Sequence, residues 1–304
     1  MRVGVSLRSA YATDDPREGA RWMIERARAA DASALDSLFV GDHHNTGPFP
    51  YYQNVPMLAR LLAEWRGRPA GVLMLLPLWH PVLAAEQIGT LAAIHDGPFV
   101  LQCAVGGGAE QFGAFGVELR HRRTRFEAGL DVVRRLLAGE EVSMTDPFRI
   151  ERARIAPVCP EPLEVWIGAA VSVGIDRAAR LGDAFLAGPE STAEEARRLI
   201  EEYRERCAAH GRDASCIAIR RDVHVAADHA ELERVAQPII DRGYRGFDPA
   251  ALAVGTAGEV TEQFAALAAM GYTDVIVRHL VDDQPAVLGS LERLGAVRAE
   301  LASV

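Results

Sequence analysis

The stretch Val72-Leu-Met-Leu-Leu76, followed by Pro77-Leu-Trp-His-Pro81 and a helical pattern over Val82–Ile94, decides the fold. A run of apolar residues without alternation is what a strand buried on both faces requires, and such strands belong to parallel sheets covered by helices. The same rhythm extends outward in both directions. Upstream lie strand Val3–Leu7, helix Pro16–Ala30 with Asp14 or Asp15 as cap, strand Leu35–Val40 and helix Met57–Trp65. Downstream come strand Phe99–Val105, helix Thr124–Leu137, strand Leu163–Ile167, helix Val173–Leu181, strand Ala184–Leu186 and helix Ala193–Ala209. Strand Ile217–Val225, helices near Glu231–Asp241 and at Glu259–Met270, strand Thr273–Arg278 and a last helix Ala286–Leu301 complete the series. Two irregular excursions, the proline-rich Gly139–Glu161 and Gly243–Thr256, interrupt it.

Alternating strands and helices over 304 residues predict an α/β chain folded as one (β/α)8 TIM barrel with insertions, a single domain over 1–304. The rival is a doubly wound open sheet, which carries a glycine fingerprint after its first strand. Here Arg8-Ser-Ala-Tyr-Ala-Thr-Asp14 follows that strand instead.

Composition removes whole classes of chemistry. All 33 basic residues are arginine, so Schiff-base catalysis by lysine, pyridoxal phosphate attachment and a lysine-bearing P-loop are excluded. With 42 acidic residues the net charge is −9, and no basic footprint predicts a nucleic-acid partner. Cys103, Cys159, Cys207 and Cys216 lack metal-site spacing, so no metal is expected, and they fit a reducing compartment. The apolar stretch Pro69–Ala85 is broken by Pro77, His80 and Pro81, so no bilayer span is expected. A cytoplasmic protein acting on a small molecule is the expectation.

In a barrel the reactive groups stand at the carboxyl ends of the strands. That rule selects Asp42-His43-His44, Trp79 and His80, Gly106-Gly-Gly108 with Glu110, Gly168-Ala-Ala-Val-Ser172 with Gly174, and Arg278-His279. A histidine after a strand can move a proton near neutral pH, and His43 leads His44 as the candidate; Asp42 is expected to orient the loop or an imidazole. Glu110 either ionises in the site or only favours a helix start. The small residues from Gly168 to Gly174 fit an anion on helix amides, or an ordinary N-cap. Phe49, Tyr51, Tyr52, Phe112 and Phe115 wall a ring site or simply pack. Arg220, Arg221 and His224 lie on one strand, where alternation sends only some of them inward.

These strand ends also carry a resemblance. Ala34-Leu-Asp-Ser-Leu-Phe-Val-Gly-Asp-His-His44, Val72 to Pro81, Val105-Gly-Gly-Gly108 with Glu110-Gln-Phe-Gly-Ala-Phe-Gly116, and Val165-Trp-Ile-Gly168 resemble elements of the bacterial luciferase-like monooxygenase family. Gly255-Thr-Ala-Gly-Glu-Val260 with Gly271-Tyr-Thr-Asp-Val275 is similar to its C-terminal unit. The resemblance runs along nearly the whole chain and implies a flavin- or deazaflavin-dependent oxidoreductase. It implies that reduced FMN, supplied by a separate flavin reductase, and dioxygen oxygenate a small organic substrate. The alternative it allows is hydride transfer with the 8-hydroxy-5-deazaflavin coenzyme F-420. It implies His43 near the reactive face, with Glu110 only adjacent to the position of the family's acid. Gly71, Val72 and Leu73 would form a bulge with a non-prolyl cis peptide behind the ring, and Gly106 would approach it. Gly168, Ala169, Ala170, Val171, Ser172 and Gly174 would take the cofactor phosphate. A homodimer through the helices at Met57–Trp65 and Val82–Ile94 is also implied.

Departures from the family pattern matter. His95-Asp-Gly-Pro-Phe99 stands where a serine-glycine-arginine turn is common, and the acid of the deazaflavin sugar-phosphate dehydrogenases falls at Ala109. Their substrate lysines are missing as well, which disfavours a sugar phosphate. A metal-dependent hydrolase and a non-catalytic barrel subunit are the readings from other classes.

Overall fold

Apolar runs become strands and capped amphipathic runs become helices in the computed structural model, which describes residues 1–302. In chain order the elements are β1 (Arg2–Leu7), α1 (Pro16–Ala32), β2 (Ser37–Val40), α2 (Asn54–Leu61), β3 (Ala70–Met74), α3 (Pro81–Ile94), β4 (Phe99–Cys103) and α4 (Ala109–Ala114). They continue with α5 (Arg122–Leu137), β5 (Val142–Met144), β6 (Ile150–Ala153), β7 (Glu164–Ala169), α6 (Ser172–Leu181), β8 (Ala184–Ala187) and α7 (Ala193–Ala209). The last are β9 (Ile217–Val225), α8 (His229–Val235), α9 (Gln237–Asp241), β10 (Ala253–Gly255), α10 (Ala257–Met270), β11 (Asp274–His279) and α11 (Gln284–Ala302). The fold is the (β/α)8 barrel that the alternation predicts. Its strands are β1, β2, β3, β4, β7, β8, β9 and β11, and β10 lies alongside β9.

The chain divides into two compact units. The first holds Met1–Arg8, Arg17–Phe39 and the chain from Trp166 onward. Its strands run parallel, with β1 on β11 from Arg2↔Asp274 to Val5↔Val277 and β11 on β9 from Asp274↔Ala218 to His279↔Val223. β7 pairs β8 and β8 pairs β9 in the same sense. Val3, Val5, Phe39, Trp166, Phe185, Ile219 and Val277 are buried here, and Phe185 stacks on Tyr203 with centroids 5.0 Å apart. A capping box at Thr192 and Glu195 starts α7 by satisfying two orphan amides.

The second unit holds Ser9–Pro16 and Val40–Val165. Its parallel pair β3–β4 is in unbroken register from Ala70↔Phe99 to Met74↔Cys103. That register corrects the expectation at Gly71–Leu73. The cis peptides among the described residues are Gly47-Pro48, Asp146-Pro147 and Ala156-Pro157, so Gly71-Val72 and Val72-Leu73 are trans and no bulge interrupts β3. A non-prolyl cis bond costs about 3–4 kcal/mol and persists only where its surroundings enforce it; here β3 is straight and keeps its ladder.

Other boundaries moved for local reasons. β3 ends at Met74, and Leu76–Leu78 form a short 3-10 turn around Pro77, so the apolar run outlasts the strand. α2 starts at Asn54 with Pro56 in its first turn, where a missing N–H costs nothing. The helix expected near Glu231–Asp241 is split into α8 and α9, because Pro238 cannot donate to the ladder. The excursion 139–161 contains the antiparallel hairpin β5–β6, and 243–256 contains β10.

Candidate active site

In the second unit the chain leaving β2 and the chain leaving β3 meet through one carboxylate. Asp42, 1% exposed, accepts from the Leu75 amide at 2.8 Å and from Trp79 Nε1 at 2.9 Å, both on Oδ2. The first of these bonds takes the Leu75 amide out of the β-ladder and fixes where β3 turns. Asp42 therefore orients the loop, one of its two expected roles. His44 Nε2 lies 3.1 Å from Asp42 Oδ1, outside hydrogen-bond alignment. The His44 ring packs 4.7 Å from the Phe115 ring and 5.9 Å from Trp79.

Gln111 on α4 joins this loop to the glycine turn. Its Oε1 accepts from the His44 amide at 2.7 Å, and its Nε2 donates to the Gly107 carbonyl at 3.1 Å. Asn54, fully buried, donates to the Leu73 carbonyl at 2.7 Å and so braces the end of β3. Gly106 and Gly108 have φ of +68° and +88°, which glycine alone adopts without strain, and a Cβ on Gly106 would come 3.3 Å from Leu75. Beneath them Leu75, Leu78 and Phe112 form an apolar cluster with Ala104, Val117 and Leu119.

Of the two histidines, His44 is half-buried among aromatics, while His43 is exposed with its ring 5.8 Å from that of Tyr51. Glu110 is exposed in the first turn of α4. Gly71 and Val72 are buried within β3 and Leu73 is half-buried. The turn that departs from the family pattern is a braced one. His95 Nε2 donates to the Arg68 carbonyl at 2.9 Å, and Asp96 accepts from the Gly67 amide at 2.9 Å. Burial pushes the His95 imidazole below its ordinary value against the pull of that carbonyl and of Asp96.

In the first unit, β7 runs through Gly168 and Ala169 into α6. Val171 occupies the N-cap position in an extended conformation and caps nothing, and Ser172 is the first helical residue. The Gly174 and Ile175 amides close back on the Val171 carbonyl. Gly174 is buried, and a Cβ there would lie 2.8 Å from that of Ala169, so only glycine lets the helix start sit this close to the strand end. Ala170, Val171 and Ser172 are exposed at the terminus.

The same unit gathers charge on β9 and β11. Arg278 is in register with Asp222, and Arg220 precedes Asp222 by two on the same face. Asp222 is fully buried. Its Oδ1 accepts from Arg220 Nε at 3.2 Å and Nη2 at 3.1 Å, and its Oδ2 from the Tyr244 hydroxyl at 2.8 Å and Arg245 Nη1 at 3.1 Å. Burial alone would raise the Asp222 carboxyl; Arg220, Arg278, the Tyr244 hydroxyl and Arg245 outweigh it and hold the group below its ordinary value. Arg221 is also buried, and its guanidinium is pushed down to about 10 by burial. His224 is fully buried with Nε2 3.3 Å from Glu231, and burial keeps it neutral further into acid than an ordinary histidine.

The sequence rule for strand ends thus finds Asp42, His44 and the glycine turn together. It misses Gln111, Asn54, Asp222 and Tyr244. Gln111 lay inside a quoted motif, and Asp222 was one step along an alternation already noticed. Nothing local marks Tyr244.

The sequence profile of the family described as luciferase-like monooxygenase matches residues 1–296. The F420-dependent glucose-6-phosphate dehydrogenase of Nakamurella multipartita is 25% identical over 190 residues, 59% of this chain and 56% of that protein. This chain thus matches little more than half the length of that relative. The 4-hydroxyprotoasukamycin monooxygenase of Streptomyces nodosus subsp. asukaensis is 26% identical over 291 residues, 90% of this chain and 75% of that protein. The crystal structure of monooxygenase RslO1 from Streptomyces bottropensis is similar with a TM-score of 0.88 at 19% identity, covering 99% of this chain and 100% of that one. At that identity the likeness speaks to the fold alone.

Proposed function

We propose a flavin-dependent oxygenase, from the premise that this chain belongs to the luciferase-like monooxygenase family. The single observation that carries the cofactor reading is the start of α6. No side chain caps it, the positive end of the helix dipole lies there, and Gly174 lets the helix start pack close against Ala169 at the strand end. Such a terminus suits a phosphate monoester, with Gly168, Ala169, Ala170, Val171, Ser172 and Gly174 as its cradle and the Ser172 hydroxyl as a further donor. When bound, reduced FMN would supply the electrons with which dioxygen oxygenates a small organic substrate.

The chain's own residues would then bind, orient and exclude water. Gly71, Val72, Leu73 and Gly106 are the backbone we assign to the ring. Their part rests on close approach along a straight β3, since the cis peptide first expected there is absent. Leu75, Leu78, Phe112, Phe115 and Trp79 keep the second unit's strand ends apolar, which strengthens any charge interaction there. His43 is the proposed proton-handling group and Glu110 the second; both are exposed on the loops that Asp42 and Gln111 hold in place.

Hydride transfer with coenzyme F-420 is the second reading, favoured by the dehydrogenase relative named above. The chain has no lysine with which to hold a sugar phosphate, so the substrate would differ from that relative's. We also propose one cytoplasmic barrel domain over 1–304 that pairs as a homodimer through α2 and α3, where Leu83 and Ile94 are exposed, and works with a separate flavin reductase. Among the described residues no helix is long and apolar enough to cross a membrane.

Titrating the purified chain with FMN and with F-420 while following cofactor fluorescence tests the reading. Quenching by FMN binding is expected. Tight F-420 binding without FMN binding would reverse the order, and binding of neither would favour a non-catalytic subunit. Light scattering at about the monomer mass of 33.0 kDa would contradict the dimer.

A further inference from the structure

The arginines around Asp222 outnumber the charge that holds them. A carboxylate offers about four lone-pair sites. Those of Asp222 are taken by Arg220, Arg245 and the Tyr244 hydroxyl. Arg278, in register with Asp222, is left over, and its Nε is buried without a hydrogen-bond partner. Three guanidinium groups against one carboxylate leave two positive charges in excess. The strain is visible on Arg278. Burial and then the neighbouring Arg220 push its guanidinium down to about 10, with Asp222 only partly opposing them. A network built for stability alone would not leave a buried guanidinium N–H without an acceptor beside a surplus of positive charge, because such a donor costs more than it returns. The cluster is also reachable. The Arg245 side chain is 41% exposed and that of Arg220 21%; the adjoining cleft of about 900 Å³ is reached by Tyr244 alone of the cluster and carries the acids Glu231, Asp282 and Asp283 beside its arginines.

We propose that Arg278, Arg245 and Arg220 form a binding site for the oxyanion group of a small molecule, a carboxylate or a phosphate, while the Tyr244 hydroxyl spends its one proton on Asp222. Asp222 is the internal counter-charge that aims Arg220 and Arg245, and Arg278 is the unspent donor. Guanidinium groups suit this task because their planar fork matches both anions in a bidentate fashion. The site lies within the first unit and involves none of the residues assigned to the cofactor, so it stands or falls apart from the oxygenase reading.

The test is calorimetric titration of the full chain, without cofactor, with benzoate and separately with inorganic phosphate, at constant ionic strength set by chloride. Saturable binding of one anion is expected, and which of the two binds names the group. Arg278→Gln and the more exposed Arg245→Gln should each weaken it at least tenfold. Arg278→Gln should also raise the Tm of the anion-free protein, since it removes one surplus positive charge and a buried Nε that lacks an acceptor. No saturable binding of either anion would overturn the proposal. So would binding that survives both substitutions, as phosphate seated at the start of α6 would. A Tm for Arg278→Gln several degrees below that of the parent would overturn it too, by marking Arg278 as a structural partner of Asp222.

Discussion

Two buried carboxylates, Asp42 just beyond the end of β2 and Asp222 within β9, have opposite surroundings. Asp42 is held by neutral donors, the Leu75 amide and the Trp79 indole, among apolar and aromatic side chains. Asp222 is held by two guanidinium groups and a phenol, with a third guanidinium beside it. Asp42 spends its charge on loop geometry: without it, β3 and the Trp79 turn lose the atom that ends the strand. Asp222 spends its charge on neighbouring charge. The first arrangement sets one carboxylate against an apolar wall, and the second gathers positive charge around one carboxylate.

Replacing each carboxylate is the most direct way to break that contrast. Asp222→Asn should be the costlier change, about 3–5 kcal/mol by urea denaturation, because it strands several cations around one site. Asp42→Ala should cost about 2–4 kcal/mol, since it leaves two buried N–H donors unpaired. A larger loss at Asp42 than at Asp222 would mean that the cationic cluster carries little of the fold's stability.

Acid sharpens the comparison further. Burial, then Arg26 and His224, push His279 down to about 3, so it is neutral in the fold, while the unfolded chain takes up a proton near the ordinary 6.5. A depressed folded value means stability is present above pH 6.5 and is lost as pH falls toward the folded value. Between pH 7 and 5 His279 alone should cost about 2 kcal/mol, read as a fall in unfolding free energy that His279→Asn lacks. The depressed Asp222 carboxyl works in a lower window. Its contribution is present above about pH 4 and disappears as pH falls through its folded value, so the two losses separate along a pH series.

The smallest effect concerns Gln111. Gln111→Ala removes its bonds to the His44 amide and the Gly107 carbonyl and should cost about 1 kcal/mol. Its effect on FMN binding should exceed its effect on Tm, because the loops it joins are those of the proposed site.

Much of this was legible in the residues. The apolar run at Val72, the prolines at helix starts and the glycines at 106 and 108 act through neighbours a few positions away, so their reading survives folding. The rule of strand ends reached Asp42 and the loop role it performs. Two readings did not survive. The helix near Glu231 ignored Pro238, a local signal that was there to be used. The cis bond behind β3 came from resemblance, and whether a strand bulges depends on its partner's register rather than on its own residues. Nor could the neighbours Arg220 and Arg221 be told apart, since alternation places them on opposite faces without saying which faces inward.

What the chain determines by itself is the order of strands and helices, the exclusion of lysine chemistry and the strand ends where polar groups collect. These follow from hydrophobic periodicity and side-chain inventory, both properties of nearby residues. Only the tertiary structure decided that Asp42 ends β3, that Gln111 ties His44 to a glycine turn, and that Tyr244 and Arg245 join Arg220 and Arg278 around one carboxylate. Most of those contacts join residues 20 or more positions apart in the chain or opposite one another on paired strands. Charge and hydrogen bonding act through space, and the distances they depend on exist only once the strands have paired.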